Sequence, residues 1–176
     1  MKTHPPLARR RVLALLGTLP LLAAGCGFKL RGPRPMPFGS IHLGMNEYSE
    51  LAAAIRRQIR ANGDTRVVDD RDEAEVRLEV LTDAREKVIL ALNTQGRVRE
   101  YQLRQRFTFR LVDKGGQVIM PANEILLSRD LAFDDSQILA KEQEEILLYR
   151  DMQGDLVQQL IRRLSSAKMP ETQPKP

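Results

Sequence analysis

Tryptophan is absent from the 176 residues, cysteine occurs once, histidine twice, and aromatic side chains make up only 5%. A single cysteine forbids an internal disulfide and any metal site built on several thiolates. Nucleophilic and general acid–base catalysis usually need a thiol, an imidazole or paired carboxylates held in a cleft, and this chain offers little of that kind. Of the two histidines only His42 follows the cysteine, and it reads as a structural or surface residue of a short strand. No glycine-rich phosphate loop occurs, and the acidic run Asp69-Asp70-Arg71-Asp72-Glu73 lacks the glycine and closing glutamate of a calcium loop. No catalytic residue, metal site or cofactor is expected, so the chain reads as a non-enzyme. With 42% apolar and 29% charged residues it can still bury one largely aliphatic core. Its length suits a single domain with tails.

Long apolar runs are missing as well. Residues 12–24 form a stretch of 13 that includes Gly17 and Pro20, whereas a spanning helix needs about 20 apolar residues. Basic residues 2–11 precede that stretch and small residues end it, the three-part layout of a cleavable export signal. Ala23-Ala24-Gly25-Cys26 resembles the bacterial lipobox, in which the cysteine is acylated and becomes residue one, although Ala23 replaces the usual larger aliphatic residue. Gly27, rather than aspartate, follows; by resemblance to enterobacterial sorting this favours an outer-membrane anchor facing the periplasm. The other reading is an ordinary signal peptide, leaving a soluble protein with a free thiol.

A net charge of +5 is of the sign that nucleic acid attracts, but its location argues otherwise. Lys2, Arg9, Arg10 and Arg11 precede Cys26 with no acidic residue beside them, so the remainder carries 24 basic residues against 23 acidic. No nucleic-acid partner is expected.

Beyond Cys26 the pattern divides into a lipidated tether over 26–39 with Pro33, Pro35 and Pro37, one α+β domain over 40–165, and a disordered tail over 166–176. Residues 40–45 read as a strand. Residues 47–62 read as a helix with Leu51, Ile55 and Ile59 at four-residue spacing, a cap at Asn46 or Ser49, and a stop at Asn62-Gly63. In the next strand Val76, Leu78 and Val80 share a face, and the same even-numbered set resumes at Val88, Leu90 and Leu92. After the turn Asn93-Thr94-Gln95-Gly96, Tyr101, Leu103, Phe107, Phe109 and Leu111 alternate with Gln102, Arg104, Arg106, Thr108 and Arg110. A second hairpin closes at Asp113-Lys114-Gly115-Gly116, and Ile125, Leu127, Leu131 and Phe133 mark the last strand. Residues 136–165 read as a long helix with Tyr149, Met152, Leu156, Leu160 and Leu164 as its stripe and Asp134 near its start. At about 45 Å this helix should outrun the sheet. The expected fold is an α+β two-layer sandwich, with two helices on one face of a four-stranded, mostly antiparallel sheet in the order β-α-β-β-β-α.

Among the charged residues, Arg104, Arg106 and Arg110 could meet phosphates, but Glu75, Glu79, Glu124 and Asp130 are placed to pair with them across the sheet. Arg97 and Arg99 beside the hairpin turn are less obviously paired. Lys141 has Glu144 and Glu145 one turn away.

Several segments in order carry a family resemblance: Cys26-Gly27-Phe28-Lys29-Leu30-Arg31-Gly32, Arg99-Glu100-Tyr101-Gln102-Leu103, Leu139-Ala140-Lys141-Glu142-Gln143-Glu144-Glu145 and Leu160-Ile161-Arg162-Arg163-Leu164. Over about residues 12–165 the chain resembles the LPS-assembly lipoprotein LptE family. The resemblance implies a two-helix, four-stranded plug inside the outer-membrane β-barrel LptD, with which it delivers lipopolysaccharide to the cell surface. It also implies a lipopolysaccharide contact at the lysine of the Leu-Ala-Lys segment, here Lys141. The family's basic residue before the hairpin glycine is Thr94 in this chain, with Arg97 as a substitute and Arg99 beside it. Two rivals stand beside this reading: a lipoprotein scaffold or chaperone of another envelope assembly, and a periplasmic hydrolase, which lacks a nucleophile-and-base set.

Overall fold

The computed structural model of the protein describes residues 35–169; the expected export signal, Cys26, most of the expected tether and residues 170–176 lie outside the described residues. The first strand, β1 (Ser40–Gly44), leads into helix α1 (Glu50–Asn62), which forms where Leu51, Ile55 and Ile59 can bury one stripe. Ser49 is its cap: the Ala52 backbone N–H donates to the Ser49 hydroxyl at 3.1 Å. Glu50 in the first turn and Arg60 in the last suit the helix dipole. Gly63 ends the helix at φ +154° and ψ −156°, a backbone region open essentially to glycine alone.

The chain then forms β2 (Arg66–Val68), β3 (Val76–Leu92), β4 (Val98–Asp113) and β5 (Val118–Ala132), a short 3-10 turn at Asp135–Gln137, and helix α2 (Ile138–Leu164). The sheet has five strands in the order β2-β1-β3-β4-β5, not four, and it is mixed rather than mostly antiparallel. Both differences arise around α1. A helical crossover returns the chain parallel to β1, so β2 pairs with β1 in parallel, and β3 does so on the other side with Ile41 opposite Val76 and Leu43 opposite Leu78. Three residues are too few for β2 to show any alternation in the sequence. The β3–β4 and β4–β5 pairs are antiparallel hairpins, as expected.

One core joins both helices to one face of the sheet. Ile41, Leu43, Val76, Leu78, Phe107, Phe109, Leu111 and Ile125 from the strands meet Leu51, Ile55, Ile59, Met152, Leu156, Leu160 and Leu164 from the helices. Phe38, within the stretch expected as tether, is also buried there, and Met36, Ala167 and Met169 pack against the cluster.

Two departures from the expected pattern shape the rest of the domain. First, β3 carries a bulge: Val80 lies opposite Phe109 and Thr82 opposite Thr108, leaving Leu81 without a partner. Because side chains alternate with period two, one extra residue exchanges the faces. Beyond Leu81 the odd-numbered residues turn toward the helices, with Asp83 opposite Phe107, Arg85 opposite Gln105 and Lys87 opposite Leu103. Val88, expected in line with Val76 and Leu78, instead lies opposite Gln102 on the other face, and Val88, Leu90 and Leu92 are all exposed.

Second, the sheet outruns the helix rather than the reverse. The 17 residues of β3 extend to roughly 55 Å, against roughly 40 Å for the 27 residues of α2. The two helices end side by side, Asn62 Nδ2 lying 3.4 Å from Ser165 Oγ. The 13 residues of α1, about 20 Å long, therefore flank only the second half of α2. No α2 residue before Met152 is buried.

Candidate functional site

The end of the domain far from the β1 start, here called distal, is built from the β3–β4 turn, the end of β5 and the start of α2. Asn93 organises the turn. Its side-chain oxygen accepts from the backbone N–H groups of Gln95 at 3.0 Å and Arg97 at 2.9 Å, and its own N–H donates to the Arg97 carbonyl at 2.8 Å. Gly96 supplies the left-handed backbone, φ +76°, that the turn requires. Arg97 and Arg99 thereby project from one wall of a cleft of about 330 Å³.

Phe133, Asp134 and Asp135 form the facing wall. The Phe133 N–H donates to the Arg99 carbonyl at 2.8 Å, and its ring meets Tyr101 edge-on with centroids 5.2 Å apart. Asp134 caps the 3-10 turn, accepting from the Ser136 N–H at 2.9 Å and its hydroxyl at 2.8 Å. Those two hydrogen bonds, the backbone one foremost, hold the Asp134 carboxyl below the ordinary aspartate range; partial desolvation opposes them and the charge of Lys141 assists.

All three cations singled out in the sequence come to this end, each in a different setting. Arg97 Nη1 lies 3.7 Å from Asp135 Oδ2, both well exposed. Arg99 is exposed and makes no ion pair among the described residues. Lys141 is not among the residues lining the cleft; it lies in the first turn of α2, its side chain only 18% exposed and its Nζ 2.8 Å from Glu144 Oε2. Glu145, the other expected partner, is taken by Lys87 at 2.6 Å.

On the sheet face away from the helices the expected pairing is half realised. Arg110 meets Glu79 at 2.6 Å and Arg106 meets Glu124 at 3.7 Å. Arg104 donates instead to the Gln102 side chain, Gln102 to Asp130, and Glu75 accepts from the Gly39 N–H.

A third feature was not read from the sequence. In its first half α2 adds charged partners beside Leu148 and Tyr149 on its inner face and leaves large apolar side chains on its outer flank. Inward, Lys87 packs 4.4 Å from the Tyr101 ring centre beneath Glu145, and Arg85 donates to Gln153 at 2.9 Å beneath the Tyr149 ring; the Tyr149 hydroxyl donates to the Glu86 carbonyl at 3.0 Å. Outward, Leu139 is 79% exposed and Ile146 and Leu147 are each 55% exposed. Helical spacing puts Leu139 and Ile146 in line with Val157, which lies beside Ala54, Arg57 and Gln58 of α1 further along. The signal was present as charge at the odd positions 83, 85 and 87, but it has meaning only once the Leu81 bulge is known.

Residues 38–164 match the family described as LptE: Lipopolysaccharide-assembly. The chain is 31% identical to the LPS-assembly lipoprotein LptE of Pectobacterium atrosepticum over 166 residues, 89% of this chain and 86% of that one. It is also 31% identical to the protein of the same description from Photorhabdus laumondii, over 94% of this chain and 91% of that one. Among solved structures it resembles the solution structure of an uncharacterized lipoprotein B from Nitrosomonas europaea, with a TM-score of 0.69 and 38% identity over 80% of this chain and 91% of that one.

Proposed function

The chain belongs to the LptE lipopolysaccharide-assembly family, and from that membership we propose that it is an outer-membrane lipoprotein that plugs and stabilises a large LptD-type β-barrel and binds lipopolysaccharide there. In this reading residues 1–25 are the export signal, Cys26 carries the lipid, 26–39 are the tether with its last residues Met36 and Phe38 docked on the working domain of 40–165, and 166–176 are a tail whose Ala167 and Met169 pack against that domain. Each acyl methylene buried in the bilayer contributes about 0.8 kcal/mol, so several acyl chains on Cys26 anchor the protein firmly on the periplasmic side of the outer membrane.

The observation that carries the reading is the exposed apolar flank on the first half of α2. Leu139, Ile146 and Leu147 form an apolar flank that a lone domain has no reason to expose, whereas a partner surface would cover it. The sheet face away from the helices, carrying Arg104, Arg106, Arg110, Glu79 and Glu124, suits the hydrated lumen of a barrel. Lys141, Arg97 and Arg99 at the distal end supply cations for lipopolysaccharide phosphates, through charge-assisted hydrogen bonds of about 2.7–2.9 Å.

Detergent extraction of the lipidated protein, with mass identification of whatever accompanies it, tests both halves. A one-to-one complex with a large β-barrel is expected; a different envelope partner would favour the scaffold reading. Lys141→Glu should leave that complex intact and weaken binding of purified lipopolysaccharide, and unchanged binding would remove Lys141 from the site.

A further inference from the structure

On the sheet face away from the helices, at the proximal end, one buried cation lacks an anion. Arg77 of β3 alternates with Val76 and Leu78 of the core and so lies on that outer face, with His42 of β1 and Val112 of β4 opposite it. It is only 8% exposed, its Nε is enclosed without a hydrogen-bonding partner, and no ion pair reaches its guanidinium among the described residues. The carboxylates nearest to it along the strands are engaged elsewhere. Glu75 accepts from the Gly39 N–H at 2.7 Å, Glu79 holds Arg110 at 2.6 Å, and Asp113 accepts from the Gln117 N–H at 2.7 Å. A guanidinium cannot shed its charge, and a buried charge is costly unless it is paired. Its far end reaches the β4–β5 turn, where a Cβ on Gly116 would lie 3.8 Å from Arg77 Nη2.

We infer that Arg77 is a docking group that receives a carboxylate side chain from the lumen wall of the barrel partner. The inference rests on the plug reading above and deepens it. Guanidinium and carboxylate are both planar and join through two parallel N–H···O bonds, which suits the slender access that a side chain 8% exposed leaves. A lipid phosphate, with ester groups around a tetrahedral centre, needs a wider approach. In the free chain Arg77 brings an unpaired charge to the fold, whereas in the complex that charge has a partner. It therefore strengthens binding rather than folding.

The test compares the full lipidated chain with its variants, alone and co-expressed with the large β-barrel. Arg77→Met keeps most of the stem and removes the charge: the free chain should melt no lower than the wild type, while the detergent-extracted complex should be weaker by about 30-fold or more. Gly116→Asp and Gly116→Asn form a second, independent pair. Both residue types tolerate the left-handed backbone at φ +87°, but only aspartate offers Arg77 an anion from within the chain. When free, the aspartate variant should melt higher than the asparagine variant, and it should hold the barrel less firmly. A free Arg77→Met chain that melts lower than the wild type, a complex as firm as the wild type's, or equal firmness of the two Gly116 variants overturns the inference while the barrel reading stands. So does an Arg77→Met complex that stays intact but loses lipopolysaccharide, which would assign the anion to the lipid. A wild type that extracts without any barrel overturns the plug reading itself.

Discussion

The proximal and distal halves of the domain use the same sheet and the same long helix, yet they are held by different forces. Proximally, α1 and the second half of α2 cover the sheet together, and Ile55, Ile59, Phe107, Phe109, Leu156 and Leu160 are fully buried. Distally, α1 is absent, and the first half of α2 is fastened by Lys87 to Glu145 and by the Tyr149 hydroxyl, which donates to the Glu86 carbonyl at 3.0 Å. Two local facts make the difference: 13 residues of α1 against 27 of α2, and one unpartnered residue, Leu81, that exchanges the faces of β3. Apolar burial is strong and indifferent to direction, whereas exposed ion pairs contribute little individually. The proximal half is thus the thicker core, and the distal half, where Leu103 and Leu131 are buried beneath α2 alone, leaves one apolar flank of that helix exposed.

The largest expected effect separates the two halves of α2. Leu156→Ala, in the core, should lower unfolding free energy by about 2–5 kcal/mol in urea titrations, while Leu147→Ala should change it by no more than about 0.5 kcal/mol. Equal losses would erase the distinction. Gln105 marks the boundary: it is fully buried between Leu103 and Phe107, and neither side-chain polar atom has a hydrogen-bonding partner among the described residues. Gln105→Leu should therefore raise stability by about 1–3 kcal/mol in the same titration.

Within the distal half the effects shrink. Lys87→Ala removes an ion pair and a contact with the Tyr101 ring, and should lower stability by about 0.5–1.5 kcal/mol, less in high salt. The smallest effect is a pH signature at Asp134. Its carboxyl titrates lower in the folded protein than in the unfolded chain, so its stabilisation is fully present above the ordinary aspartate value and is lost as pH falls through the depressed folded value. Melting temperatures of the wild type and Asp134→Asn should differ at neutral pH and converge in acid.

Much of this was legible before any coordinates. Four-residue spacing located α1, alternation located β4, and Asn93 with Gly96 located the turn, because each signal is local and periodic. Arg97, Arg99 and Lys141 could be named, though not their carboxylate company, since Asp135 reaches Arg97 only through the folding back of β5. What stayed hidden depended on non-local pairing. The three residues of β2 are too few to declare a period, and Leu81 looks like any other apolar residue until β4 passes it by. Gln105 sits silently within an otherwise apolar alternation. The inward charges at positions 85 and 87, which meet Gln153 and Glu145 of α2, follow from the bulge and could not be seen without it.

Hydrogen–deuterium exchange, comparing the free protein with its complex with the barrel partner, tests the contrast most directly. In the free protein the amides of residues 138–150 should exchange faster than those of residues 152–164, and complex formation should protect the former selectively. Uniform protection along α2 in the free protein, or protection on binding confined to its second half and α1, would contradict the account.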